Sequence, residues 1–427
     1  MRGPLVRWMV LVCCLTCPAA PSVLAAGFSL GDQSGKAAGL AGAWVARADG
    51  AAANWYNPAA LARIPGMQVQ FGAGLFRAAG NTELGSGDPA WGLDPTAPAN
   101  FQAGDESNLA PHAYFSQALG KRWAWGVGVN RPFGFAIAWD DRPVTESAER
   151  AELGTYAVNA NVAVALGDQW SLGGGLTYLE AELDPFSRDV PVNLDNDPDT
   201  IEATGRANLT GSGSDVGFDV AALYATRGFS AALVYRSGIS PTLDGDVTFT
   251  GFGTAQALFP DSPTEVTLDL PTEAVAGVAW SAADTWQFEL DVSWTQWSRF
   301  RSLPVDVGEE TPPFVVDTRQ RQDWEDTIGY RLGVSWQLAE QHEVRVGLLQ
   351  EEGAVPEDTR RPALPDADRV GVALGYGFSG SAWSVDAYLS SSFYSDATAN
   401  GDPGEGVLDG TYRSDSLGIG ATVTRRF

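Results

Sequence analysis

The chain has 427 residues, 44% of them apolar, and sets 27 Lys+Arg against 53 Asp+Glu for a formal net charge of −26. That balance excludes a nucleic-acid binder, because phosphate neutralisation needs clustered basic side chains. Mean hydropathy is −0.10, and beyond the N-terminus no run approaches the roughly 20 apolar residues of a spanning helix, so a polytopic helical membrane protein is excluded too.

Residues 1–25 are expected to be a signal peptide. Arg2 and Arg7 flank the start of the apolar run WMVLVCCLTC (8–17), Pro18 and Pro21 break it, and Val23-Leu24-Ala25 offers a small-residue cleavage site. Cys13, Cys14 and Cys17 all fall inside this segment, so the exported chain holds no cysteine and needs no disulfide.

Residues 26–65 do not alternate. They are rich in Ala and Gly, short of β-branched residues, and carry the turn former Tyr56-Asn57-Pro58. Such small side chains cannot build a core of their own. The economical reading is a compact plug inside whatever the strands enclose, with a flexible periplasmic arm as the alternative. Phe28, Leu30, Trp44, Trp55 and Tyr56 are its candidate pocket walls.

From residue 66 to 427 the pattern has period two. Residues 286–294 read WQFELDVSW, placing Trp286, Phe288, Leu290, Val292 and Trp294 on one face and Gln287, Glu289, Asp291 and Ser293 on the other. About fourteen strands are expected, near 66–77, 111–119, 122–131, 154–166, 169–183, 213–226, 228–247, 264–281, 285–296, 325–338, 342–352, 367–378, 382–394 and 412–427. Breaks such as GK, GD, AEQ and SGS alternate with long acidic stretches, as at 78–110, 184–212 and 297–324. An even strand number with short turns at one end and long loops at the other predicts an all-β, antiparallel outer-membrane barrel. Trp123, Trp170, Phe229, Trp286 and Trp383 follow the short turns, where an interfacial aromatic girdle belongs.

Within the third strand, Pro132 lacks an N–H and Gly134 has no side chain to pack, so the ladder should break near Arg131-Pro132-Phe133-Gly134. Either the wall kinks there, with Phe133 and Gly134 bordering a lateral opening, or the strand simply ends. In the region 237–264, Phe249, Phe252, Leu258 and Phe259 are candidates for capturing an apolar ligand, or for packing that loop onto the rim. Arg77, Arg131 and Arg236 lie near strand ends and are candidates to hold a carboxylate.

The only histidines are His112 and His342. No zinc cluster, Cys–His pair or nucleophile elbow is present, and the acid run at 195–199 lacks the glycine of a calcium loop, with Thr200 in its place. No metal, cofactor or enzymatic activity is expected.

The segment GFSLGDQSGKAAGLAGAWVARADGAAANWYNPAAL resembles the N-terminal hatch of the FadL family of outer-membrane transporters for long-chain fatty acids and other hydrophobic compounds. The likeness recurs at VSWTQWSRF (292–300), DWEDTIGYRLGVSWQL (323–338) and VPEDTRRPALPDADR (355–369). Its most specific pieces are Asn57-Pro58-Ala59 and Pro365-Asp366-Ala367-Asp368-Arg369. The resemblance implies a fourteen-stranded barrel, a hatch over 26–65, and lateral escape of ligand beside a kinked third strand. The function expected is outer-membrane passage of fatty acids or related hydrocarbons, by a monomer surrounded by lipid and lipopolysaccharide. The alternative is a general diffusion porin with an open polar bore.

Overall fold

The computed structural model describes residues 27–85, 99–104, 106–192, 203–283, 285–308, 310, 312, 315–401 and 406–427. The expected signal peptide and the acid run at 195–200 lie outside them. The strands follow one another as β1 (Met67–Leu84), β2 (Ala99–Gln102), β3 (Ser107–Leu119), β4 (Trp123–Asn130), β5 (Gly134–Ala138), β6 (Arg150–Leu166), β7 (Trp170–Val192) and β8 (Ala203–Ala225). Next come β9 (Phe229–Arg236), β10 (Thr242–Thr250), β11 (Ser262–Thr267), β12 (Thr272–Ala282), β13 (Trp286–Gln296), β14 (Ser302–Val307) and β15 (Thr318–Arg321). β16 (Thr327–Ala339), β17 (His342–Glu351), β18 (Arg369–Ser379), β19 (Trp383–Tyr394), β20 (Ala397–Ala399) and β21 (Gly410–Arg426) complete the sheet.

The last strand closes on the first, from Gln68 opposite Arg426 to Leu84 opposite Gly410. The result is a closed antiparallel barrel of fourteen staves, some of them built from two segments. Closure satisfies the backbone without leaving an edge, the condition for a sheet to sit in lipid.

Alternation is realised with inverted polarity. In β13, Trp286, Leu290 and Trp294 are exposed while Glu289, Asp291 and Ser293 are buried. In β7, Leu172, Leu176 and Tyr178 are exposed while Ser171 and Thr177 are buried. A water-soluble sheet would lose free energy by such exposure, whereas a lipid-facing one gains it. The tight turns expected before Trp123, Trp170, Phe229, Trp286 and Trp383 are present, and all five rings are exposed. Gly120 and Gly167 adopt φ of 72° and 80° at two of these turns, a conformation that costs glycine nothing.

Several boundaries differ from the sequence-based expectation. The long connections are shorter than expected, because β1 runs on to Leu84, β7 reaches Val192, β8 begins at Ala203, and 297–324 contains β14 and β15. Staves expected as unbroken over 228–247 and 264–281 are each split, at 237–241 and 268–271. Each gap holds a proline, Pro241 or Pro271, that cannot donate to the ladder. The two gaps stay joined through Leu268 N–H to Pro241 O and Leu270 N–H to Ile239 O. The third stave is broken internally and does not end: β4 stops at Asn130, β5 resumes at Gly134, and both pair with β6.

Candidate functional site

Residues 27–64 bond to inward-facing side chains on staves all around the barrel. The Gly35 N–H donates to Thr422 Oγ1 at 2.7 Å on the last strand, and the Ala52 N–H to Gln70 Oε1 at 3.0 Å on the first. Asp291 accepts from the Trp44 and Val45 N–H groups at 2.9 and 3.2 Å, and Glu289 accepts from the Ala46 N–H at 2.6 Å and Arg47 Nε at 2.7 Å. On β6, Asn159 accepts from the Asn54 amide and Asn161 donates to the Asn54 carbonyl. Glycines in the wall permit this approach: a Cβ on Gly173 would strike the Ala59 amide, and one on Gly347 the Leu40 carbonyl carbon. Asn57 caps the turn Pro58–Arg63 through the Ala59 N–H at 3.0 Å and holds Val45 O at 2.7 Å.

At the broken third stave, the backbone groups released from the wall ladder are taken up by the same segment. Leu30 N–H donates to Pro132 O at 2.8 Å, Gly134 N–H to Phe28 O at 2.9 Å, and Ser29 bridges Phe133. Gln33 Nε2 donates to Arg131 O at 2.6 Å. The Arg131 side chain lies within the wall, donating from Nη1 to Leu109 O at 3.0 Å and from Nη2 to Leu153 O at 3.4 Å. Gly134 and Gly154 leave room for it, since a Cβ on either would press on the guanidinium.

Beside this break lies a cavity of about 210 Å³. Its apolar wall includes Leu30, Phe133, Leu179, Ile239, Leu270 and Trp297, and its polar wall includes Arg236, Glu273, Arg331, Glu351 and Arg369. Arg236 pairs with Glu273 and also donates to Trp55 O. Arg331 and Arg369 share Glu351, at 3.2 Å from Nη2 and 3.1 Å from Nε respectively. Asp32 completes the polar end. Burial pushes its carboxyl up to about 6, against the pull of Arg369, the Tyr388 hydroxyl and Arg331.

Of the pocket walls expected from sequence, Leu30, Trp55 and Tyr56 line the cavity. Trp44 packs edge-on against Tyr56 at 5.4 Å. Phe28 is buried in an aromatic cage of Phe133, Phe135, Trp297, Phe300 and Trp324, with ring centroids 5.0–6.2 Å away. Pro132, Phe133 and Arg236 line the cavity, whereas Arg131 is turned into the wall and Arg77 is exposed on β1. In the loop, Phe252 and Phe259 are buried and stacked at 3.9 Å, Phe249 packs on both, and Leu258 is exposed. His112 sets Nε2 2.9 Å from Thr422 Oγ1.

Sequence reasoning missed Arg331, Glu351 and Arg369. Each occupies an inward position on its strand, alternating with exposed Tyr330 or Leu332, Leu348 and Val370. Glu351 stands directly opposite Arg369 in the ladder, so strand parity alone would have grouped them.

The family model for outer membrane protein transport proteins (OMPP1/FadL/TodX) matches residues 16–427. A putative outer membrane protein of Neisseria meningitidis serogroup B is 26% identical over 96% of each chain. The long-chain fatty acid transport protein of Escherichia coli O6:H1 is 23% identical over 64% of this chain and 68% of its own. The crystal structure of a Pseudomonas aeruginosa FadL homologue superposes with a TM-score of 0.84 at 19% identity, covering 94% of this chain and all of that one. A lipid-facing cylinder around a partly apolar cavity, matched by this family along nearly its whole length, makes the chain a member of the OMPP1/FadL/TodX outer-membrane proteins of Gram-negative bacteria, a transporter of hydrophobic compounds and not an enzyme.

Proposed function

We propose that a hydrophobic solute is caught at the extracellular loops, enters the cavity past a hatch formed by residues 26–65, and leaves sideways into the membrane at the broken third stave. The observation that carries this reading is the juxtaposition of the cavity with the break: Pro132 and Phe133 belong to both. An apolar molecule crosses a lipopolysaccharide leaflet poorly, and a route ending in the bilayer spares it re-exposure to water. Each buried methylene contributes about 0.8 kcal/mol to capture, so release requires the cavity to change shape. The backbone bonds from Leu30 to Pro132 and from Gly134 to Phe28 tie the hatch to the break, which couples movement of one to opening of the other. The named Escherichia coli relative makes long acyl chains one candidate cargo. The protein works as a monomer in contact with lipid and lipopolysaccharide.

The diffusion-porin alternative expects an open bore, and the family match together with a segment bonded across the lumen counts against it. Gly134→Trp tests the lateral step, because even a Cβ there lies 3.0 Å from Arg131 Nε and 3.1 Å from Leu153 O. In cells, the folded variant is expected to take up a radiolabelled hydrophobe no faster than cells lacking the protein. Unchanged uptake would overturn the lateral route.

A further inference from the structure

We infer that the cavity selects uncharged hydrophobic solutes over carboxylates; this rests on the transport reading above and narrows its cargo. Six charged side chains line the cavity: Asp32, Arg236, Glu273, Arg331, Glu351 and Arg369. Three are cations and three are acids, and the geometry matches them. Arg236 sits opposite Glu273 in the ladder between β9 and β12 and is ion-paired with it. Its Nη2 donates to the Trp55 and Tyr56 carbonyls, and its guanidinium lies 4.5 Å from the Trp55 ring centroid. Arg331 is held by Glu351 at 3.2 Å and by Ser293 Oγ at 2.7 Å. Arg369 is held by the same Glu351. Asp32, facing both arginines, supplies the second negative charge.

A carboxylate entering this set adds a fourth negative charge where three already balance three. To gain a guanidinium it must displace Glu273 from Arg236, or take Arg331 or Arg369 from the buried Glu351 that they share. Breaking a buried ion pair costs as much as burying about four to six methylenes returns. A neutral solute leaves every pair intact and meets Leu179, Ile239, Leu270 and Trp297. The volume of about 210 Å³ exceeds the roughly 150 Å³ of an apolar cavity known to admit benzene. Arg131, which has no carboxylate partner among the described residues, does not line the cavity, and its terminal nitrogens already serve the Leu109 and Leu153 carbonyls.

The test compares n-propylbenzene with 3-phenylpropanoate, equal in carbon number and differing in charge, by equilibrium dialysis against the purified full-length protein at pH 7.5. The wild type is expected to bind n-propylbenzene about tenfold or more tighter, the ratio that one uncompensated buried interaction produces. Glu273→Gln removes the acid ion-paired with Arg236, leaving Asp219 opposite it on β8, and is expected to raise the relative affinity for 3-phenylpropanoate about tenfold. Equal wild-type affinities, binding of neither compound, or an unchanged ratio in a folded Glu273→Gln would each overturn the inference. Glu351→Gln replaces that variant should it not fold, and the wild-type ratio is decisive without either. Transport is read separately, as uptake by cells: selective binding without uptake would overturn the proposed route and leave the selectivity standing.

Discussion

The Arg131 guanidinium donates to the Leu109 carbonyl at 3.0 Å, reaching from the third stave back to β3 across the place where the ladder is interrupted. A second bond reaches Leu153 on β6 at 3.4 Å. One side chain thus bonds to both of the staves that flank the interruption. A hydrogen bond to a charged donor contributes about 1.5–3 kcal/mol, so on the proposed lateral route losing one would favour opening about tenfold or more. Arg131→Ala is expected to fold and to speed hydrophobe uptake, read as initial rates in cells with matched surface expression. A slower rate in the folded variant would count against this closure.

Glu289 and Asp291 are the counterpart within the lumen, receiving the N–H groups of three successive residues, Trp44, Val45 and Ala46. Each orphaned buried donor costs about 1–3 kcal/mol. The double substitution Glu289→Ala, Asp291→Ala should loosen the segment without opening the cylinder. Liposome swelling in a small sugar should be slow for the wild type and fast for the variant, while heat-modifiable gel mobility stays intact.

Asp32 makes the cavity's charge balance pH-dependent. Its carboxyl is pushed up to about 6 from the ordinary 3.8, so it is ionised at pH 7.5 and loses its charge as pH falls through about 6. The groups facing it are Arg369, Arg331 and the Tyr388 and Tyr56 hydroxyls, with Glu351 between the arginines. Protonation leaves the two arginines with a single acid. A ligand carboxylate near the usual value of about 4.3 is still ionised at pH 5.5. Its affinity should therefore rise between pH 7.5 and 5.5, while that of n-propylbenzene stays flat. Dialysis across this range reads the effect.

Leu176 tests the outer face. It is exposed on β7, six residues beyond the girdle ring Trp170, and is paired with Ala160 and Phe218. Arginine there is expected to cost about 2–4 kcal/mol of stability in lipid, seen as a lower urea midpoint for the inserted protein. A substitution of Lys121, in a tight turn next to Gly120, should leave that midpoint in place.

The barrel was legible because lipid imposes a strict rule: outward positions must be apolar, so Trp286, Leu290 and Trp294 declare their face without any knowledge of the fold. The turns were legible because glycine and short polar pairs interrupt that rule. The interruptions at 237–241 and 268–271 were not, since alternation runs through them and only Pro241 and Pro271 hinted at a break. The cavity was partly legible. Leu30, Trp55, Tyr56, Pro132, Phe133 and Arg236 were singled out for their chemistry. Arg331, Glu351 and Arg369 escaped because their meaning lies in register, which joins residues far apart in the chain. From composition the loop rings Phe252 and Phe259 suited either ligand capture or packing of the loop onto the rim, and they stack on each other within their own loop. A list of apolar residues does not say what those residues touch.

The bond from Gly35 to Thr422 joins positions 387 residues apart. The same segment is also held by Gln70 on the first strand, so its anchors lie on both sides of the seam where β21 meets β1. A chain truncated before β21 would therefore lose, in one cut, the partner of β1 at the seam and the acceptor that fixes Gly35.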